Sequence, residues 1–158
     1  MASRLDEFER IARRAHEFTE AGTAKDGSHP FDARNIHPDL PGDVRRMFNN
    51  GHYPQATFEA FKFVDEEMQS ISGSSEHGTK LMMTVLGGTS PALKLNPGMT
   101  TSEKDEQEGF KFLFAGGTLA IRNPRGHKTG LTDDPDTCLD HLSLASLLLR
   151  RLDEAGLR

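Results

Sequence analysis

Between Tyr53 and Ser72 the apolar residues Ala56, Phe58, Ala60, Phe61, Val64, Met68 and Ile71 keep mostly to one side of a 3.6-residue period. That spacing serves a helix with one buried side and suits no strand. Tyr53-Pro54 opens the segment and Gly73 closes it. Just upstream, Leu40, Val44, Met47 and Phe48 give residues 38–50 an apolar face, with Pro38 in the first turn and Asn50-Gly51 as the stop. So short a link between two helices predicts an antiparallel hairpin. The chain is thereby committed to packing helix on helix.

The other segments share the same period. Leu5, Phe8, Ile11, Ala12, Ala15 and Phe18 draw one stripe along residues 3–20, and residues 21–36, rich in Gly, Ala, Ser, Asp and Pro, read as a connector. Thr79 to Leu86 is a short helix candidate, and Gly87-Gly88, Pro91, Pro97 and Gly98 then impose a long loop. Ser102 as N-cap, with Asp105 three residues on, starts a further helix carrying Phe110, Phe112, Leu113, Phe114, Leu119, Ala120 and Ile121. Pro124 is expected to end it, because proline disfavours helical geometry at Asn123. Asp134 caps the last helix, Pro135 occupies its first turn, and a leucine-rich run continues to Gly156. Leucine on most of its sides predicts a helix that is central or shared with a second subunit. No strand pattern competes. The expected fold is all-α, a bundle of about five helices. Residues 1–35 form a helix and connector that serve as an arm across a partner subunit, and 36–158 form the helical domain.

Composition narrows the function. At 158 residues the chain suits one domain, burying roughly 70% of its unfolded surface. One cysteine, Cys138, rules out an internal disulfide. The absence of a long apolar stretch or a secretion-type N-terminus makes the cytoplasm the expected location, with no membrane role. A net charge of -5 means that nucleic-acid binding must depend on a local basic patch. The histidines show no metal-ligand spacing, so neither metal nor cofactor is expected. Glu103, Asp105, Glu106 and Glu108 belong to the start of their helix, where acids favour its dipole, rather than to a two-metal nuclease.

Such a patch lies between the last two long helices. Arg122, Arg125, His127 and Lys128 stand within seven residues with no acid among them, and the glycine pair Gly116-Gly117 precedes them. Arginine and histidine suit phosphodiester cleavage in RNA, which carries its own nucleophile, the 2′-hydroxyl. Histidine titrates near neutrality and can act as base or acid. Arginine offers a permanent, planar cation to phosphate oxygens. Asn123 can donate to phosphate or hold either partner in place. Arg122, Asn123 and His127 are therefore the candidate catalytic residues, and Arg125 and Lys128 the candidate substrate contacts. One histidine per chain is poorly placed to make both proton transfers, which points to a homodimer with two motifs facing one groove. Glu59 and Glu66, on one face of the third helix, could orient this motif or simply form surface ion pairs. Two other readings stay open: a module that binds a nucleotide or RNA without cutting it, and a helical dimer whose loop docks a protein partner.

Arg122-Asn123-Pro124-Arg125-Gly126-His127 resembles the R-x(4–6)-H motif of the HEPN superfamily (higher-eukaryote and prokaryote nucleotide-binding proteins). More closely, Ile36-His37-Pro38, Gly51-His52-Tyr53-Pro54-Gln55-Ala56, Phe58-Glu59-Ala60-Phe61-Lys62, Asp105-Glu106-Gln107-Glu108-Gly109 and the leucine-rich stretch 142–153 resemble the Ymh-type family of bacterial and phage proteins. The resemblance spans about residues 36–155. It implies an α-helical bundle, dimeric or of higher order, with the motif at the dimer interface. It also implies metal-independent endoribonuclease activity, in a toxin–antitoxin or antiphage-defence setting where an antitoxin or defence-system protein is the natural partner.

Overall fold

A computed structural model describes residues 28–128 and 130–158 of the chain. The chain divides into two compact units, Met1–Ala33 and Arg34–Arg158. The described part of the first contains a single helical turn, Pro30–Ala33. The helix expected over residues 3–20, and its proposed contact with a partner, lie outside the described residues.

The second unit is built from helices alone among its described residues. They are α1 (Gly42–Asn49), α2 (Tyr53–Ser72), α3 (Gly78–Val85), α4 (Thr101–Gly116), a π-helical segment (Gly117–Arg122), α5 (Asn123–His127) and α6 (Pro135–Glu154). The α1–α2 hairpin forms as its short link requires, with Gly51 at φ 77° turning the chain. α2 is central. It packs against α1 and α6, and against the π-helical segment and α5. Phe61, Val64 and Met68 from α2 meet a core that includes Leu142, Leu148, Leu149 and Leu152 from α6, all of them buried. Each such side chain contributes roughly 1.5–3 kcal/mol on leaving water. α6 is not apolar all round, since Leu147 remains 47% exposed.

Two helix starts differ from the sequence reading. α1 begins at Gly42, not near Pro38. His37 occupies those residues differently: its carbonyl accepts from the Leu40 N–H at 3.2 Å, and its Nδ1 accepts from the Asp39 N–H at 3.2 Å. Its Nε2 lies 2.8 Å from Asp153 Oδ2 on α6, which fixes the ring. α4 begins at Thr101, and its N-cap lies two residues before the expected Ser102. Thr100 is its N-cap, accepting from the Glu103 N–H at 3.2 Å, while Glu103 accepts from the Thr100 N–H at 3.1 Å. Glutamate reaches back one methylene further than Asp105 can, so the Thr100 frame wins. The N-terminus of α6 matches expectation, with Asp134 accepting from the Thr137 N–H at 2.8 Å.

The loop between α3 and α4 has no helix or strand, yet it is anchored. Leu93 and Leu95 are buried. The Gln107 side chain donates to the carbonyls of Leu86 at 2.9 Å and Leu93 at 3.1 Å, and accepts from the Leu95 N–H at 2.8 Å. Asn96 donates to the Glu103 carbonyl and the Glu106 carboxylate, and Arg151 donates to the Leu95 carbonyl at 2.9 Å. No helix among the described residues is long and apolar enough to cross a membrane.

Gln107→Leu should therefore cost about 2–4 kcal/mol, because it strands three loop groups at once, and urea denaturation against Thr100→Ala (about 1 kcal/mol expected) measures it. A loss no larger than that of the cap would show that the loop does not depend on this amide. Cys138 offers a second check. It is fully buried, and burial pushes its thiol up to about 11. The unfolded thiol loses its proton near pH 8.5, so the folded chain holds a proton that the unfolded chain has lost. Stability should fall as pH rises from about 8.5 to about 11. Cys138→Ala should fall less steeply over the same range, and identical slopes would refute the assignment.

Candidate functional site

The basic motif does not lie in a loop. The helix that begins at Thr101 runs on through Pro124 to His127, contrary to the stop expected at Asn123. The reason is the π-helical segment. There the bonds reach one residue further, so the Asn123 N–H donates to the Thr118 carbonyl. Pro124 then stands in the first turn of α5, a position that proline tolerates. The Lys128 N–H closes that turn on the Pro124 carbonyl at 3.0 Å.

Two aromatic rings of α2 receive this helix. A Cβ on Gly117 would lie 2.7 Å from the Phe61 ring, and one on Gly126 would lie 2.8 Å from the Phe58 ring. Both distances are shorter than carbon atoms tolerate, so the approach requires glycine. The close backbone contact expected of Gly116-Gly117 thus belongs to Gly117, since nothing lies within 4 Å of a Cβ on Gly116. The Arg122 guanidinium stands over the same Phe58 ring at 5.4 Å, within reach of its π face.

The two arginines of the motif have different surroundings. Arg125 Nε and Nη2 donate to Asp133 at 2.7 Å each, and Nη1 donates to the Ile121 carbonyl at 2.8 Å. The pair is nearly closed to water, with side chains 8% and 7% exposed. The sequence alone points Arg125 at substrate phosphate. Its charge is instead neutralised and its fork filled, so it fixes α5 to the segment that leads into α6. Arg122 has no ion pair among the described residues. Its Nη1 reaches Asn123 Oδ1 only at 3.5 Å, and its Nε is buried without a partner. Asn123 thus stands beside the arginine. His127 and Lys128 are exposed. Glu59 and Glu66 lie on either side of Lys62, at 3.4 and 3.9 Å, and no bond joins either to the motif.

Three residues of this region had no clear signal in the sequence. Phe58 reads as core but forms the platform under Arg122 and Gly126. Asp133 is simply the nearest downstream acid, and only the fold makes it the partner of Arg125. His141 on α6 has a buried, unpartnered Nδ1. Burial, and then the Arg125 charge, hold its pKa below the usual histidine value, with Asp133 and Asp140 opposing. Among the described residues no group of three His, Cys, Asp or Glu side chains is arranged to hold a metal ion.

The different surroundings predict different costs. Arg125→Ala leaves Asp133 buried and unpaired, so it should lose roughly 3–5 kcal/mol of stability. Arg122→Ala removes a stacked but unpaired cation and should lose at most about 1 kcal/mol. Chemical denaturation of the two variants tests this, and equal losses would remove the distinction between frame and site.

The family model Hypoth_Ymh, described as a protein of unknown function, matches residues 34–152. The match covers most of the chain, which therefore belongs to that family. No curated protein and no solved structure matches it.

Proposed function

We propose that this member of the Hypoth_Ymh family captures an RNA phosphate at Arg122 and cleaves the chain without a metal, in a groove completed by a second copy. The observation that carries the reading is the state of Arg122. It is a permanent cation with no carboxylate partner among the described residues and an unmet, buried Nε, held beside Asn123 on an aromatic platform. A phosphate oxygen would supply the missing acceptor.

In this reading His127 takes the proton of the 2′-hydroxyl as its oxygen attacks phosphorus. The bond to the 5′-oxygen breaks, and that oxygen receives a proton from the His127 of the second copy. The products are a 2′,3′-cyclic phosphate and a 5′-hydroxyl. Arg122 offsets charge gathering on the phosphate oxygens. Lys128 and Asn123 hold the backbone. Support for a second copy comes from Phe112, Leu113 and Leu119, which are 56%, 43% and 60% exposed on the continuous helix that carries Arg122. The HEPN-like resemblance makes a toxin or an antiphage effector the biological setting, with an antitoxin or defence protein as the restraining partner.

A second reading rests on His127 itself. It is exposed, and no hydrogen bond among the described residues orients it or sets its tautomer. A site that binds RNA through Arg122 without cutting it needs no more than this.

The test is incubation of total bacterial RNA with the full chain in excess EDTA, and then analysis of the product ends. Wild type should leave cyclic phosphate and 5′-hydroxyl ends, and His127→Ala should cut at least ~100-fold more slowly while still binding RNA. Arg122→Ala should lose both cleavage and binding. A folded, dimeric wild type that binds RNA but leaves it intact would establish the second reading. One that neither binds nor cuts would leave a docking role for the exposed leucines.

A further inference from the structure

The anchored loop between α3 and α4 forms, with the first turns of α4, an open cavity of about 520 Å³ that the proposed RNA site does not use. Its wall includes Pro91 and Pro97, Thr89 and Asn96 from the loop, and Lys94 and Lys104 at its edge. Cavities that hold small organic ligands run roughly 300–1,000 Å³, so the size suits a whole small molecule rather than a bare ion.

Charge separates this cavity from an ordinary surface hollow. In an acidic chain most carboxylates near it are already engaged. Glu106 pairs with Arg151, and Glu108, which also lines the cavity, pairs with Lys111. Glu103 is committed to the α4 cap. Lys94 and Lys104 are exposed and have no ion pair among the described residues. Two ammonium groups thus stand at one cavity with no carboxylate bonded to either among the described residues.

The loop is also built to keep its shape. A connection this long without regular structure inside a packed domain is uncommon, and such loops usually bind something or are disordered. This one is not loose: Gln107, Asn96 and Arg151 are all spent on holding its backbone. Their hydrogen bonds leave Lys94 and Lys104 free while fixing the walls between them.

We infer that this cavity is a binding site for a small organic polyanion, carrying two or more phosphate or carboxylate charges on a carbon frame. Lys94 and Lys104 take the charges, and the Pro91 and Pro97 walls take the frame. The site is separate from Arg122 and holds whether or not the chain cleaves RNA.

Calorimetric titration of the full chain in EDTA at physiological salt tests this, with fructose 1,6-bisphosphate, ATP and citrate as probes and inorganic phosphate as the small-ion control. At least one organic probe should bind one-to-one and at least tenfold more tightly than inorganic phosphate. A phosphate ester preferred over citrate, or the reverse, tells which anion the site takes. The exposed pair Lys94→Glu/Lys104→Glu, checked for native helicity, should weaken that probe at least tenfold, whereas Arg122→Ala should leave it unchanged. Failure of all three probes overturns the proposal. So does binding that survives the double reversal, or binding that Arg122→Ala abolishes, which would assign the anion to the RNA site instead.

Discussion

Two glycines let one helix lie against the aromatic rings of another, and the rest of the site depends on that approach. Gly117 faces Phe61 and Gly126 faces Phe58, each at a distance no Cβ could share. With the two backbones this close, Arg122 is laid over the Phe58 ring instead of projecting into solvent. The π-helical widening between the glycines sets the phase of α5 and its side chains. An α-helical path over the same residues would close the Asn123 N–H on Leu119 rather than on Thr118 and would turn the motif to another face.

Sequence and structure agree where a single rule governs. α2 was legible because its seven apolar positions share one period and Gly73 stops it. The start of α6 was legible because Asp134 and Pro135 both favour that place. Agreement fails where two rules compete. Thr100 and Ser102 each stand three residues before an acid, and the longer side chain of Glu103 decides between them. Pro124 obeys the rule that proline ends α-helices only as long as the preceding turn is α, and here it is π. The candidate site was partly legible. Arg122, Asn123 and His127 emerge from charge and chemistry in the sequence. The pairing of Arg125 with Asp133 across a turn, and the role of Phe58 as a platform, arise from tertiary proximity, which leaves no periodic mark.

A division of labour between like residues recurs. Arg125 and Arg151 hold frame elements in place, while Arg122 keeps open valences. Lys111 is tied to Glu108, while Lys94 and Lys104 have no ion pair among the described residues. Neighbours in sequence with the same chemistry thus fall into structural and available sets, and the sorting depends on which of them the fold supplies with a partner.

That sorting has a consequence for ionic strength. The Arg125–Asp133 pair is shut away from solvent, so mobile ions reach it poorly, and the frame should hold over a wide range of salt. Any anion drawn to Arg122, by contrast, exchanges places with counterions and is weakened as they accumulate. On the proposed reading, salt is a selective solvent variable, able to empty the Arg122 site while leaving intact the scaffold that shapes it.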